Sequence, residues 1–364
     1  MDNLNKNPAA QAVEDSLNPE YENSYRVAVK DDKYGRGFDL PSVLFNQRQI
    51  FLHGEVRQES VWSIQQQLQY LAGNSKETKR DRRIVLRIDS PGGLVLHGLG
   101  IDTHIQHVKE MTGEPFYCLV ENSAASMGSL LTQSADVGCR LMMPHAEMMI
   151  HESAFGYQGK SSEHAANVGN NVRVETRLFD AYVKKMVAAY CLFENKQPSA
   201  KLEKQAMRQL LYYMKGKDTF LTAEQAMKLY LVDYVIHTNK LQQDIYAAIE
   251  MYRGLRQSLA YNAEKCATTQ GGAIHPFKFG DNVLSDKQKE KQKAEAIAQL
   301  RKLRKESLQT CRDEAEAMSS TYDALKEFSH ARTNLEHDTN DIRSVLESMG
   351  TLDGADEDNP FKTA

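Results

Sequence analysis

Short apolar runs alternate with amphipathic stretches from about residue 43 to residue 236, and the alternation predicts most of the secondary structure. Gln49-Ile50-Phe51-Leu52-His53-Gly54-Glu55-Val56 reads as a strand stopped by Gly54. Ser60 stands where it can cap a helix that carries Ile64, Leu68 and Leu71 on one face. The basic stretch 76–83 reads as a loop, and Ile84-Val85-Leu86-Arg87-Ile88 as a strand ending at Asp89. A helix over about 98–111, a strand over 116–120, a helix opening at Ser126 and short strands near 140–142 and 148–151 follow. Strands alternating with helices indicate βαβ-type units and an α/β domain.

Beyond residue 160 the period changes. Val168, Val172, Leu178, Tyr182, Met186 and Tyr190 recur at near-helical spacing and predict one long helix over 161–190. Pro198 marks a break, and a second helix is expected over 202–214. Thr222 with Gln225 forms a capping-box pattern at the start of a helix running to Leu231, and a strand follows over 232–236. Four regions result. Residues 1–40 are polar and read as a flexible arm. Residues 41–240 form the α/β domain. Residues 241–284 contain Gly271-Gly272, Pro276 and Gly280 and read as a linker. Residues 285–364 read as a helical or coiled-coil extension in which Ile297, Leu300, Cys311, Ala315, Met318, Tyr322 and Leu325 share a stripe, closed by the acidic tail Asp353–Asp358.

Composition narrows the function classes. A net charge of −4 gives no sign of nucleic-acid binding. No apolar run is long enough to span a membrane, and the N-terminus carries no apolar signal segment. Cys118, Cys139, Cys191, Cys266 and Cys311 are odd in number and widely spaced, with no CxxC pair. That argues against a disulfide framework and against a zinc site, and points to a cytoplasmic chain with reduced thiols and no metal or organic cofactor.

The chemistry sits at three strand ends. One strand delivers Asp89-Ser90-Pro91-Gly92-Gly93, the next Ala124-Ala125-Ser126-Met127-Gly128, and a third Met149-Ile150-His151. Each has a plain structural reading: a tight turn, a helix-capping serine, a strand-end histidine. Together they supply what an acyl-transfer site needs: a hydroxyl nucleophile, a base to take its proton, and backbone N–H groups for an oxyanion. His145, in a Pro144-His145-Ala146 turn, is a weaker candidate base.

These motifs, with Gly156-Tyr157-Gln158-Gly159, the segment 220–233 and the first strand, resemble the Clp protease proteolytic subunit family over about residues 44–236. The resemblance implies a ClpP/crotonase-like domain of repeated ββα units followed by a mainly helical extension. It implies an ATP-dependent serine endopeptidase acting on polypeptide, in a homo-oligomeric ring fed by a separate unfoldase. The chain itself has no GxxxxGK[ST] motif. By resemblance Ser126 is the nucleophile, His151 the general base, and the Gly93 and Met127 amides the oxyanion hole. Gly92, Ser153, Gly156 and Tyr157 border the substrate strand, and the helix after Ser161 belongs to the handle through which rings stack.

Three features depart from the family pattern. The family places an aspartate six residues before the phenylalanine matching Phe220, where this chain has Met214. Asp218 is the nearest acid and the candidate third member of the triad, with a surface acid or a helix cap as its plain alternative. The family has glycine where this chain has Tyr230, so a different turn is expected there. The extension is unexplained by the resemblance. It fits a phage capsid-maturation protease with a fused scaffold segment and capsid or scaffold partners. The missing aspartate also leaves open a catalytically inactive assembly subunit. A Ser–Lys peptidase shares the Ser-Pro-Gly-Gly signal but has no need of His151.

Overall fold

The computed structural model describes residues 28–30, 37–39, 44–45, 47–73, 83–156, 158, 160–252 and 286–332. Most of the expected N-terminal arm, the greater part of the linker and the acidic tail lie outside them. A small hairpin, β1 (Ala28–Lys30) with β2 (Gly37–Asp39), pairs antiparallel with Val29 opposite Phe38. It falls inside the segment expected to be an arm, and three residues per strand are too few for periodicity to reveal.

The main sheet runs in the order β3 (Gln49–His53), β4 (Ile84–Ser90), β5 (Phe116–Ala125), β6 (Arg140–Met142), β9 (Tyr234–Val235). β7 (Glu147–Ile150) pairs with β5, and β8 (Thr219–Thr222) pairs with β7. The β4–β5, β5–β6, β5–β7 and β6–β9 ladders are parallel, and β7–β8 is antiparallel. In β4, Ile84, Leu86, Ile88 and Ser90 point into the core while the residues between them face outward. β5 holds the arrangement together by changing partners along its length. Cys118–Val120 pairs with β6, then Ser123–Ala125 pairs with β7.

The helices follow the predicted stripes, except that Val168 and Val172, expected on the apolar face of the long helix after residue 160, are exposed, and Val174 and Phe179 join Leu178, Tyr182 and Met186 on its buried face. α1 (Gln58–Gly73) buries Ile64, Leu68 and Leu71. It begins two residues before Ser60, whose hydroxyl instead bonds the backbone N–H and C=O of Arg57. α2 (Val95–Thr112) buries Ile101, Ile105 and Val108. α3 (Met127–Thr132) is a single short helix after β5. α4 (Ser161–Glu194) and α5 (Ala200–Met214) match the two expected helices with longer ends. α6 (Ala223–Lys228) carries the capping box, with both the Thr222 and the Gln225 bonds formed.

Two segments differ from expectation. Residues 239–252 form a helix, α7, where the linker was expected to begin, because Ile245, Ala248 and Ile249 make a buried stripe there. Tyr230 keeps the left-handed backbone that a glycine would give, at φ 59°. A tyrosine tolerates that conformation because its side chain is fixed: its hydroxyl donates to Glu194 at 3.0 Å and its ring meets Tyr190 edge-on.

α8 (Asp286–Arg332) is the predicted C-terminal helix, and its first half packs on the domain. Ala296, Leu300, Leu303, Ser307 and Cys311 are buried, whereas residues 312–319, with Ala315 and Met318, are exposed. The predicted stripe therefore splits at Cys311. Ser307 Oγ accepts from the Val235 N–H and donates to the Val235 carbonyl, each at 2.9 Å, so a helix side chain satisfies the free edge of β9. Arg304 donates to the carbonyls of Met227, Val232 and Asp233 and lies over the Phe193 and Tyr230 rings, 4.6 Å from each centroid. Beneath it, fully buried Arg140 and Asp233 form an ion pair at 2.6 Å, and Asp233 also accepts from the Gly138 and Arg140 N–H groups. Removing Arg304 would leave three buried carbonyls without this donor and two aromatic faces open. Arg304→Ala is expected to cost about 3 kcal/mol, measured by urea unfolding. A loss below about 0.5 kcal/mol would mean that the helix is a loosely held appendage.

Candidate functional site

Ser126 sits at the hinge between β5 and α3. Its φ of 52° and ψ of −117° make it one of four non-glycine residues at positive φ among the described residues. It occupies the N-cap position of α3, yet its side chain makes no capping bond. The hydroxyl turns instead to His151, with Oγ 2.7 Å from Nε2. The capping explanation of this serine therefore fails.

Sheet register delivers the partner. β5 and β7 run parallel with Ala125 opposite Met149, and the Ser126 N–H donates to the Met149 carbonyl at 2.8 Å. The chain then leaves β7 at Ile150, so His151 emerges beside Ser126. The next ladder supplies the acid. β7 and β8 run antiparallel with Ile150 opposite Thr219. Extending that register by one residue puts Asp218 opposite His151, and Asp218 Oδ1 lies 3.2 Å from Nδ1. The Asp218 side chain is 62% exposed, against 25% for His151.

The displaced acid reaches His151 because its loop is tied down. α5 ends at Met214, which is buried and lines the cleft at the position where the family pattern has its aspartate. The Glu152 N–H donates to the Met214 carbonyl at 3.2 Å, and the Gly216 N–H donates to the Glu152 carboxylate at 3.2 Å. Thr219 Oγ1 donates to the Tyr213 carbonyl at 2.5 Å. The turn between α5 and β8 is thus held on both sides of Asp218.

The glycine pair lies on the other side of Ser126. The Val56 N–H donates to the Gly92 carbonyl and the Leu94 N–H to the Val56 carbonyl, so Val56 pairs in parallel fashion with Gly93. In such a ladder the N–H of Gly93 faces away from Val56, toward the side of β4 on which β5 and Ser126 lie. No side chain fits at either glycine. A Cβ on Gly92 would stand 2.6 Å from Ser126 Cβ, and one on Gly93 would stand 2.4 Å from the Val56 carbonyl oxygen. The Met127 amide opens α3 and has no acceptor within that helix.

Ser126, His151, Gly93, Met127 and Ser153 line one cleft of about 120 Å³. Gly92 lies beneath Ser126, and Gly156 is exposed beyond the cleft. Tyr157 lies outside the described residues. Leu130, Leu178, Phe179 and Met214 make the far wall apolar, and Tyr182 adds a hydroxyl bonded to Ser129 Oγ at 2.6 Å. Sequence reading missed Ser129, Glu152 and Tyr182 as parts of this site. Tyr182 was visible only as one member of the apolar stripe of α4. Among the described residues no group of His, Cys, Asp and Glu is arranged to hold a metal ion, and no helix is long and apolar enough to cross a membrane.

The strand ends, the glycine pair and the split pairing of β5 all lie within the 32–239 segment that matches the Clp protease family model. That segment is more than half of the chain. A Clp protease domain with a parallel α/β sheet and a helical C-terminal region is what the elements form, and the chain belongs to the Clp protease family of peptidases.

Proposed function

We propose that this protein is a serine endopeptidase that hydrolyses peptide bonds in unfolded or delivered polypeptide, working as a ring-shaped oligomer. The observation that carries the reading is the unbroken contact chain from Ser126 Oγ to His151 Nε2 at 2.7 Å and from His151 Nδ1 to Asp218 at 3.2 Å. Nδ1–H donating to a carboxylate leaves Nε2 as the acceptor of the serine proton, which is the tautomer a general base needs.

The reaction follows from this arrangement. Ser126 Oγ attacks the carbonyl carbon of the scissile peptide while its proton passes to His151 Nε2. The oxyanion of the tetrahedral intermediate is held by the Gly93 and Met127 N–H groups, both of which belong to residues lining the cleft with Ser126. Collapse breaks the C–N bond, and the leaving amine takes the proton from His151. Water then attacks the acyl ester on Ser126, giving a proton to His151; collapse breaks the bond between the acyl carbon and Oγ, His151 returns the proton to Oγ, and the carboxylic acid leaves. Ser153 and Gly156, on the segment after β7, run beside the polypeptide, and the apolar wall receives a side chain next to the cleaved bond.

The competing readings lose support. An inactive assembly subunit was motivated by the missing aspartate, and Asp218 meets His151 from four residues further along. A Ser–Lys mechanism needs a lysine at the nucleophile, and among the described residues the cleft is lined by none. An ATP-dependent unfoldase fits as the partner that delivers substrate, since this chain carries no phosphate-binding loop. The free thiols among the described cysteines suit the reducing cytoplasm.

Labelling of the assembled protein by a fluorophosphonate, with cleavage of an unfolded protein followed alongside, tests the proposal. The expected outcome is stoichiometric modification of Ser126 with loss of cleavage. No modification at Ser126 in any assembled form would sink it.

A further inference from the structure

The strained turn at Ser126 is gripped from outside its own helix. α3 is one and a half turns long and has few bonds of its own. The Ser126 carbonyl nevertheless accepts from the Ser129 N–H at 3.1 Å, the Leu130 N–H at 3.3 Å and the Ser129 hydroxyl at 2.7 Å. Ser129 Oγ in turn lies 2.6 Å from the Tyr182 hydroxyl. A serine hydroxyl has one proton. Ser129 spends its proton on the Ser126 carbonyl, so Tyr182 is the donor in the second bond. Ser129 is fully buried and Tyr182 nearly so, at 3% exposed, which excludes water as a substitute partner. Burial raises the Tyr182 pKa, so the phenol keeps its proton.

The peptide plane gives this relay a consequence for catalysis. The Ser126 carbonyl and the Met127 N–H belong to one rigid trans peptide and point in opposite directions. Fixing the carbonyl oxygen fixes the direction of the Met127 N–H, and it holds the ψ angle from which the Ser126 side chain projects. We infer that Tyr182, reaching across from α4 and acting through Ser129, is a positioning residue that aims the Met127 oxyanion donor and the Ser126 nucleophile together. The inference rests on the serine-peptidase reading above. It also gives α4 a part in the site beyond lining the cleft: a shift of that helix is felt at the nucleophile through two hydrogen bonds.

Tyr182→Phe removes one oxygen and keeps the ring that walls the cleft. For a short fluorogenic peptide, kcat is expected to fall about 10- to 100-fold with KM little changed, the size of loss that follows a small misplacement of reacting groups. The rate of fluorophosphonate labelling at Ser126 falls by the same factor. Ser129→Ala, which breaks the relay at its middle, produces a similar loss, and the double variant is no worse than either single one because both changes cut one chain. An unchanged kcat in Tyr182→Phe overturns the inference. So does a rise in KM alone, which marks a wall residue, and so do losses that multiply in the double variant. The wild-type control separates the two levels of argument. If wild type fails to label at Ser126, the peptidase reading falls. If wild type labels and Tyr182→Phe labels equally fast, only the relay falls.

Discussion

Ser126→Ala is expected to abolish fluorophosphonate labelling and to lower kcat by a factor on the order of 10⁶, with His151→Ala nearly as severe. In the proposed mechanism both residues act in one proton transfer, so the double variant should be no slower than the worse single variant. The argument is geometric. The 2.7 Å contact between Ser126 Oγ and His151 Nε2 gives the hydroxyl proton a direct route to a base before attack. Without the base the hydroxyl stays a weak nucleophile, and without the hydroxyl the base has nothing to activate. A residual rate of about 10³ over the uncatalysed reaction should survive in both variants, because Gly93 and Met127 still offer their N–H groups to an oxyanion. That residue of activity separates the two halves of the site. Gly93→Ala should remove it, since a Cβ there meets the Val56 carbonyl oxygen at 2.4 Å and displaces the donor. Single-turnover kinetics on the assembled protein measure all of these. A His151→Ala variant that turns over at the wild-type rate would transfer the base role to another group.

How much of this was legible in the sequence depends on how far apart the cooperating residues are. The strand ends bearing Gly93, Ser126 and His151 each announce themselves within a few residues, through an apolar run closed by a small or polar residue. The relation of Ser126 to His151 follows from two paired parallel strands, β5 and β7, with only α3 and the short β6 between them in the chain, and chain spacing carries it. Asp218 could not be assigned in the same way. Its contact with His151 depends on β8 folding back antiparallel on β7 in one particular register, after a long excursion of the chain through α4 and α5. A slip of one residue would turn the acid to the other face. Tyr182 shows a different blindness. Apolar periodicity counts it as a core ring and says nothing about the hydroxyl at its tip.

The C-terminal helix was legible as a helix and illegible as a contact. Its stripe of Ala296, Leu300, Leu303, Ser307 and Cys311 contains a serine and is flanked by Arg304, so it looks weak as a coiled-coil seam. The reason lies in what it covers. A strand edge asks for hydrogen bonds as well as apolar area, and Ser307 and Arg304 provide them. Tyr230 belongs to the same story. Its ring fills space under Arg304, and that packing explains why a tyrosine holds a left-handed position where the family has glycine. The extension and the domain therefore share a packed seam on the side of β9.

Asp218→Ala is expected to lower kcat by about 10²-fold, less than the roughly 10⁴ lost when a buried triad acid is disabled. The acid sits 3.2 Å from His151 Nδ1, close enough to select the tautomer and to stabilise the imidazolium that forms during attack. It is also 62% exposed, so in the variant water can take its place at Nδ1 and recover part of the orientation. KM should stay nearly constant, because Asp218 is absent from the cleft lining and touches the reaction only through the ring. The loop argument adds a second arm. Glu152 holds the turn that presents Asp218, by accepting from the Gly216 N–H at 3.2 Å. Glu152→Ala should therefore lower kcat about tenfold in the wild-type background. In the Asp218→Ala background it should do little, since a loop without its acid no longer matters to His151. Steady-state kinetics on the four proteins of this cycle decide the matter. Unchanged turnover in Asp218→Ala would reduce the site to a serine–histidine dyad. A tenfold loss from Glu152→Ala in both backgrounds would make Glu152 act on His151 by a route other than the acid.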